Sequence, residues 1–139
     1  MLDQDTTSHR PLRVLLVDDN RDAALSLHLL LEAWGHAARV AHDGAQALEM
    51  AEVFKPQVVL LDIGLPTMHG FEVARRLRKI PACQNCLLIA VTGWGQEADR
   101  AQSKAAGINH HLVKPVEADA LQSLLASHTP ANPNNAPAF

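Results

Sequence analysis

The chain has 139 residues, 47% of them apolar and 19% charged, with a formal net charge of −3 when histidine is neutral. That length suits one domain with one core, the apolar content argues against global disorder, and no domain-wide positive balance marks a nucleic-acid partner. No apolar run approaches the roughly 18 residues that a membrane helix needs, and the N-terminus lacks a signal-peptide pattern, so a cytoplasmic protein with no membrane contact is expected.

Residues 1–10 are polar and read as a flexible segment. The run at 12–17 is short and apolar and ends at Asp18-Asp19-Asn20, which fits a buried strand followed by a helix cap. Ala23, Ala24, Leu27, Leu30, Leu31 and Trp34 then follow helical spacing, and Gly35 supplies a stop. A second strand is expected at 37–41. The next helix begins after Asp43-Gly44, presents Leu48, Ala51 and Phe54, and stops before Pro56.

The run at 57–61 leads into Asp62. A third helix, carrying Val73, Ala74 and Leu77, follows Gly70 and ends at Pro81, with Arg75, Arg76, Arg78 and Lys79 read as its solvated face. Cys83 and Cys86 form a CxxC without further ligands at metal spacing and outside a strand-to-helix junction, so they read as incidental thiols. A strand at 87–91 precedes Thr92-Gly93-Trp94, and a fourth helix is expected near 96–106. A last strand at 108–113 precedes Lys114-Pro115, and a fifth helix uses Leu121, Leu124 and Leu125 before fading by His128. The proline-rich tail, 129–139, reads as disordered, which leaves 11–128 as the folded domain.

Strands alternating with helices predict a five-stranded parallel sheet, doubly wound, with its ligand crevice at the carboxyl ends of the strands. Asp18, Asp19, Asp62, Thr92 and Lys114 all fall at those ends. Three clustered carboxylates need more compensation than one ammonium supplies, and oxygen-only ligands favour magnesium or calcium. Asp62 is a candidate nucleophile for phosphoryl transfer, Asp18 and Asp19 candidate metal holders, Lys114 a partner for an incoming anion, and Thr92 a hydroxyl donor. Gly64 and Gly93 let backbone N–H groups approach phosphate oxygens. His28, His36, His42, His69 and His128 read as exposed positions without metal-ligand companions.

The segments VLLVDDN (14–20), VVLLDIGLPTMHGFEVARRLR (58–78), LIAVTGWG (88–95) and HHLVKP (110–115) together resemble the receiver domain of two-component response regulators, and their wording is similar to receivers joined to hybrid histidine kinases. The resemblance implies a flavodoxin-like (βα)5 fold, with Asp62 as phosphoacceptor. It also implies Mg2+ on Asp19, Asp62 and the Gly64 carbonyl, with Asp18 acting largely through water, and Thr92 and Lys114 on the phosphoryl group. The implied partner is a histidine kinase or histidine phosphotransfer protein. Such a domain catalyses only its own phosphorylation and slow dephosphorylation, and no DNA-binding output module is expected here. The Lys114-Pro115 bond is expected to be cis.

His111 departs from the family's usual Tyr or Phe at the switch position. Gly64 and Trp94 occupy positions that modulate phosphoryl lifetime, and together they predict slow hydrolysis. A haloacid-dehalogenase-type phosphatase would need Asp-x-Asp at the nucleophile, whereas Asp62 is followed at that spacing by Gly64. A phosphorylation-independent interaction module is the remaining alternative, favoured by His111 alone.

Overall fold

Side chains on successive strand residues point to opposite faces, so a strand apolar at every position must be covered on both sides. The computed structural model, which describes residues 11–65, 68–93 and 100–128, shows that arrangement. Strands β1 (Arg13–Val17), β2 (Ala37–Ala41), β3 (Val58–Asp62), β4 (Leu87–Thr92) and β5 (His110–Val113) alternate with helices α1 (Arg21–Ala33), α2 (Gly44–Phe54), α3 (Gly70–Leu77), α4 (Arg100–Ala105) and α5 (Ala118–Ser127). The strands form one parallel sheet in the order β2-β1-β3-β4-β5. The expected fold class is the observed one, with strand limits shifted by up to two residues.

Two apolar layers sandwich the sheet. Leu15, Val17, Val59, Leu61, Leu88 and Ala90 pack with Ala47 and Ala51 of α2 and with Phe71, Val73, Ala74 and Leu77 of α3. The alternate residues Val14, Leu16, Val58, Leu60, Ile89 and Val91 pack with Leu31 of α1 and with Leu121 and Leu125 of α5. Each full burial of such a side chain contributes about 1.5–3 kcal/mol. Local caps fix where the helices start: Asn20 Oδ1 accepts the Ala23 N–H at 3.0 Å, and Asp43 Oδ1 accepts that of Gln46 at 2.8 Å.

Three expectations are corrected. The third helix ends at Leu77 rather than running to Pro81, and a 3-10 turn occupies Pro81–Cys83. Ile80, the residue before the proline, is extended at φ −82° and ψ 122°, because a proline ring crowds a helical predecessor. Arg78 does not join the solvated face. Its guanidinium turns inward and donates to the carbonyls of Cys83, Gln84 and Cys86 at 2.8–3.1 Å and, from the other side, to Gly107 O at 2.7 Å and Asn109 Oδ1 at 2.9 Å. Arg75 and Arg76 remain exposed and pair with Glu72. His36 is buried, because its Nδ1 accepts the Leu12 N–H at 3.0 Å and so satisfies a backbone donor at the start of the sheet. Of the other histidines, His28, His42 and His128 are half-buried and His69 is exposed.

The flexible segment expected at 1–10, the tail at 129–139, Trp94 and the start of the helix expected at 96–106 lie outside the described residues. The Lys114-Pro115 bond is cis, as expected.

Gly70 opens α3 directly against the end of β3. A Cβ there would sit 2.6 Å from Ile63 Cα and 3.2 Å from Asp62 O, both backbone atoms with no room to move. Gly70→Ala is therefore expected to destabilise the fold by about 1–3 kcal/mol. Urea unfolding checks this, and an unchanged midpoint would mean that α3 does not rest on the turn after Asp62.

Candidate functional site

The site is assembled from the carboxyl ends of three strands and the turns that follow them. Asp62 is the last residue of β3 and shares the alternation of Val58 and Leu60, which directs it toward the α1 and α5 layer. Asp18 follows β1, its N–H bonded to Ala41 O at 3.0 Å, and Lys114 follows β5, its N–H bonded to Thr92 O at 2.8 Å. Backbone pairing thus carries each polar residue to the same rim of the sheet.

Carboxylate oxygens of Asp18, Asp19 and Asp62 all lie within 4.8 Å of one another. Asp18 and Asp62 are buried and Asp19 is exposed. At an effective dielectric near 20, each pair of charges at that spacing repels by about 3–4 kcal/mol. The site offsets part of that repulsion. Lys114 Nζ donates to Asp62 Oδ2 at 2.9 Å, the Gly64 N–H to Asp62 Oδ1 at 2.9 Å, and the Asn20 N–H to Asp18 Oδ1 at 2.9 Å. His42 Nδ1 lies 3.0 Å from the Asp18 carbonyl oxygen and steadies the backbone that carries this acid.

Protonation equilibria record the same balance. Burial pushes the Asp18 carboxyl above its ordinary value, with the charges of Asp62 and Asp19 adding to the rise and the Asn20 N–H and Lys114 opposing it. Burial alone would lower the Lys114 ammonium, but the hydrogen bond to Asp62 and the charges of Asp62, Asp18 and Asp19 prevail and hold it above its ordinary value.

The four residues Asp18, Asp19, Asp62 and Lys114 are brought together as expected. Thr92 is buried at the end of β4, but among the described residues its side chain makes no hydrogen bond to the four. Gly93 borders the cavity beside Asp62, and Gly64 is exposed at the turn that holds Asp62 Oδ1. His111 faces away from the cluster, its Nε2 2.9 Å from Ser103 Oγ on α4, so it ties β5 to that helix. Two contributors escaped the sequence reading. His42 carries no motif, and its contact to Asp18 spans 24 residues. An open cavity of about 600 Å³ beside Asp62 has walls from Pro115 and Val116 and from Ala23, Ala24 and Leu27 of α1, which helical spacing marks only as core.

The donor set is oxygen-only and carries three carboxylates against one ammonium. That chemistry fits a hard divalent cation such as Mg2+ better than a zinc site, which would favour histidine or thiolate. Among the described residues no other cluster of three acidic, histidine or cysteine side chains could hold a metal, and no helix is long and apolar enough to cross a membrane.

The family model of the response regulator receiver domain matches residues 14–126. Protein PilH of Pseudomonas aeruginosa is 36% identical over 109 residues, which are 78% of this chain and 90% of that protein. Response regulator MprA of Mycobacterium ulcerans is 35% identical over 83% of this chain, and the chain spans about half of that relative's length, 47%. Among solved structures, the Vibrio cholerae chemotaxis protein CheY4 aligns with a TM-score of 0.78 at 26% identity, covering 84% of this chain and 97% of that one. The receiver domain of a sensor histidine kinase from Pseudomonas aeruginosa PAO1, which has a magnesium ion coordinated in its active site cleft, aligns with a TM-score of 0.74 at 29% identity over 84% of this chain and 95% of that one.

A carboxyl raised on folding favours the protonated fold. Asp18 therefore contributes stability that is fully present below its unfolded value of 3.8 and is lost as pH rises through the raised folded value. In metal-free buffer at neutral pH, Asp18→Asn is expected to melt higher than the wild type, with the gap closing as pH falls below 3.8. Mg2+ titration should stabilise the wild type saturably and the variant less, by mass action on the folded state. Thermal melts with chelator and with Mg2+ check both; a variant that melts no higher without metal would show that the three carboxylates do not repel as placed.

Proposed function

Because the chain belongs to the response regulator receiver domain family, we propose that it takes a phosphoryl group from a phosphohistidine donor onto Asp62 in a two-component or phosphorelay pathway and signals through an altered surface. The observation that carries this reading is the buried Asp62 carboxylate, held by Lys114 and the Gly64 N–H within the acidic cluster. On this reading the receiver domain spans residues 11–128 and works in the cytoplasm, without a nucleic-acid or membrane partner. It is no enzyme in the usual sense, since it turns over only its own phosphoryl group.

Asp19, Asp62 and the Gly64 carbonyl would hold the Mg2+, with Asp18 reaching it largely through water. When bound, the ion would neutralise charge on the carboxylates and on the transferring phosphoryl group. An Asp62 oxygen attacks phosphorus as the bond to the donor imidazole nitrogen breaks, leaving an acyl phosphate. Lys114 exchanges part of its contact with Asp62 for a phosphoryl oxygen, and the Thr92 hydroxyl turns to another. Gly93 keeps the approach to the acceptor free of a Cβ. Gly64 is exposed and brings no side chain that could orient a hydrolytic water, which supports slow loss of the group. Trp94 is assigned the same shielding role from its position in the sequence. The hydrogen bond between His111 and Ser103 supports His111 as the residue through which α4 and β5 sense the acceptor.

A protein donor, rather than a small one alone, is supported by the helix that walls the cavity beside Asp62. Leu25 and Leu29 lie one turn apart on α1 and are 54% and 59% exposed, and the apolar cavity opens between the same helix and Pro115. Exposed leucines on the helix that also walls the cavity at the nucleophile suit a helical histidine kinase or phosphotransfer protein.

Intact-mass measurement with acetyl phosphate is expected to show one added phosphoryl group on the wild type only when Mg2+ is present, and none on Asp62→Asn. Labelling that survives the substitution, or that needs no metal, would falsify the assignment. Leu29→Glu is expected to slow transfer from a phosphorylated histidine phosphotransfer protein by about tenfold or more while leaving labelling by acetyl phosphate unchanged. Equal slowing with both donors would place Leu29 in the fold of the site rather than in donor docking.

A further inference from the structure

Away from the acidic cluster, the described residues hold a second group of reactive side chains. Cys83 and Cys86 are both free and buried, at the ends of one turn in which the Cys86 N–H lies 3.4 Å from Cys83 O. A turn of this kind keeps its end Cα atoms within about 7 Å, and a disulfide spans roughly 4.4–6.8 Å between Cα atoms, so the sulfurs can join with little backbone movement. The flanking residues Ala82, Gln84 and Asn85 are exposed, which puts the pair one residue layer beneath the surface.

Arg78 gives the pair its chemistry. Its Nη1 donates to Cys83 O at 2.9 Å and to Cys86 O at 2.8 Å and lies 3.6 Å from Cys86 Sγ. A fixed cation at a thiol favours the thiolate, which is the nucleophile in sulfur oxidation. The neighbouring Cys86 thiol holds the Cys83 thiol below its ordinary value, with burial opposing that fall and the Arg78 charge adding to it, whereas Cys86 itself is pushed up by Cys83 and by burial, so Cys83 is the member that ionises first. The guanidinium on the flank of Cys86 also argues against a soft metal ion, which would meet a positive charge there.

We propose that Cys83 and Cys86 form a thiol–disulfide redox pair, oxidised by hydrogen peroxide to an intramolecular disulfide, with Arg78 as the cation that favours the reacting thiolate. The Cys83 thiolate attacks one oxygen of the peroxide, the O–O bond breaks, and the departing hydroxide takes the proton that the thiol had lost, leaving a sulfenic acid and water. Cys86 sulfur then attacks the Cys83 sulfur. The S–O bond breaks, the departing oxygen takes the Cys86 proton, and a second water leaves. The peroxide is reduced by the two electrons that the thiols give up.

The test uses the full chain, reduced, freed of reductant, and exposed while folded to hydrogen peroxide at neutral pH. Samples are alkylated in denaturant and weighed intact. The expected result is loss of two hydrogens together with both alkylation sites, restored by dithiothreitol, and peptide mapping that links 83 to 86. Cys86→Ser should stop at a sulfenic acid on Cys83 that dimedone traps. Arg78→Gln should slow disulfide formation several-fold by lowering the thiolate population, whereas Arg78→Lys keeps the charge and most of the rate. The proposal is overturned if folded wild type keeps both thiols through an exposure that oxidises the urea-denatured chain. An Arg78→Gln rate equal to that of the wild type overturns the part given to the guanidinium.

Discussion

Repulsion among three carboxylates at one rim of the sheet is the constraint to which the surrounding structure answers. Asp18, Asp19 and Asp62 offer oxygens within 4.8 Å of one another, a spacing that unfolded chain would never hold. Two apolar layers of interleaved strand residues enforce it, since neither β1 nor β3 can shift register without driving its buried face into the opposite layer. Lys114, the Gly64 N–H and the Asn20 N–H each meet one carboxylate oxygen, so the cluster is tolerated rather than comfortable, and its remaining negative charge suits a hard divalent cation.

The turn after Asp62 is held from outside as well. Gly70 brings α3 onto the backbone of Ile63 so closely that no side chain could stand between them. Movement in that turn is therefore felt by a helix. On the opposite side of β4, His111 bonds Ser103 and Arg78 clasps the turns at Cys83–Cys86 and Gly107–Asn109, so the elements around β5 are joined by polar contacts where other parts of the molecule rely on apolar packing. Polar joints of this type are directional, and they change partner in discrete steps as charge nearby changes.

Membership of the receiver family and the geometry of the cluster speak to different questions. The family accounts for the fold. The particular chain adds a cavity walled by α1 and Pro115, two exposed leucines on the same helix, and a histidine, His111, bonded to Ser103 of α4. These features bear on which partners are met and how the signal leaves.

The alternation of apolar runs with helical periodicity, and the polar residue closing each run, determined the sheet and placed Asp18, Asp62, Thr92 and Lys114 at its carboxyl rim, because parallel pairing and crossover handedness follow from local pattern and chirality. Asn20 as a cap was legible for the same reason, since a cap acts within one turn. What the sequence could not carry were contacts between distant segments. His36, His42 and Arg78 all look like surface residues in a local window, yet one satisfies a strand donor 24 residues away, one steadies Asp18, and one spans two turns whose residues lie up to 31 positions apart from it. The apolar wall beside Asp62 escaped notice too, since helical spacing marks a residue as buried without saying whether a neighbour fills the space before it. Only tertiary packing decides these points, because the free energy of a buried polar group depends on which partner the fold brings within about 3 Å of it.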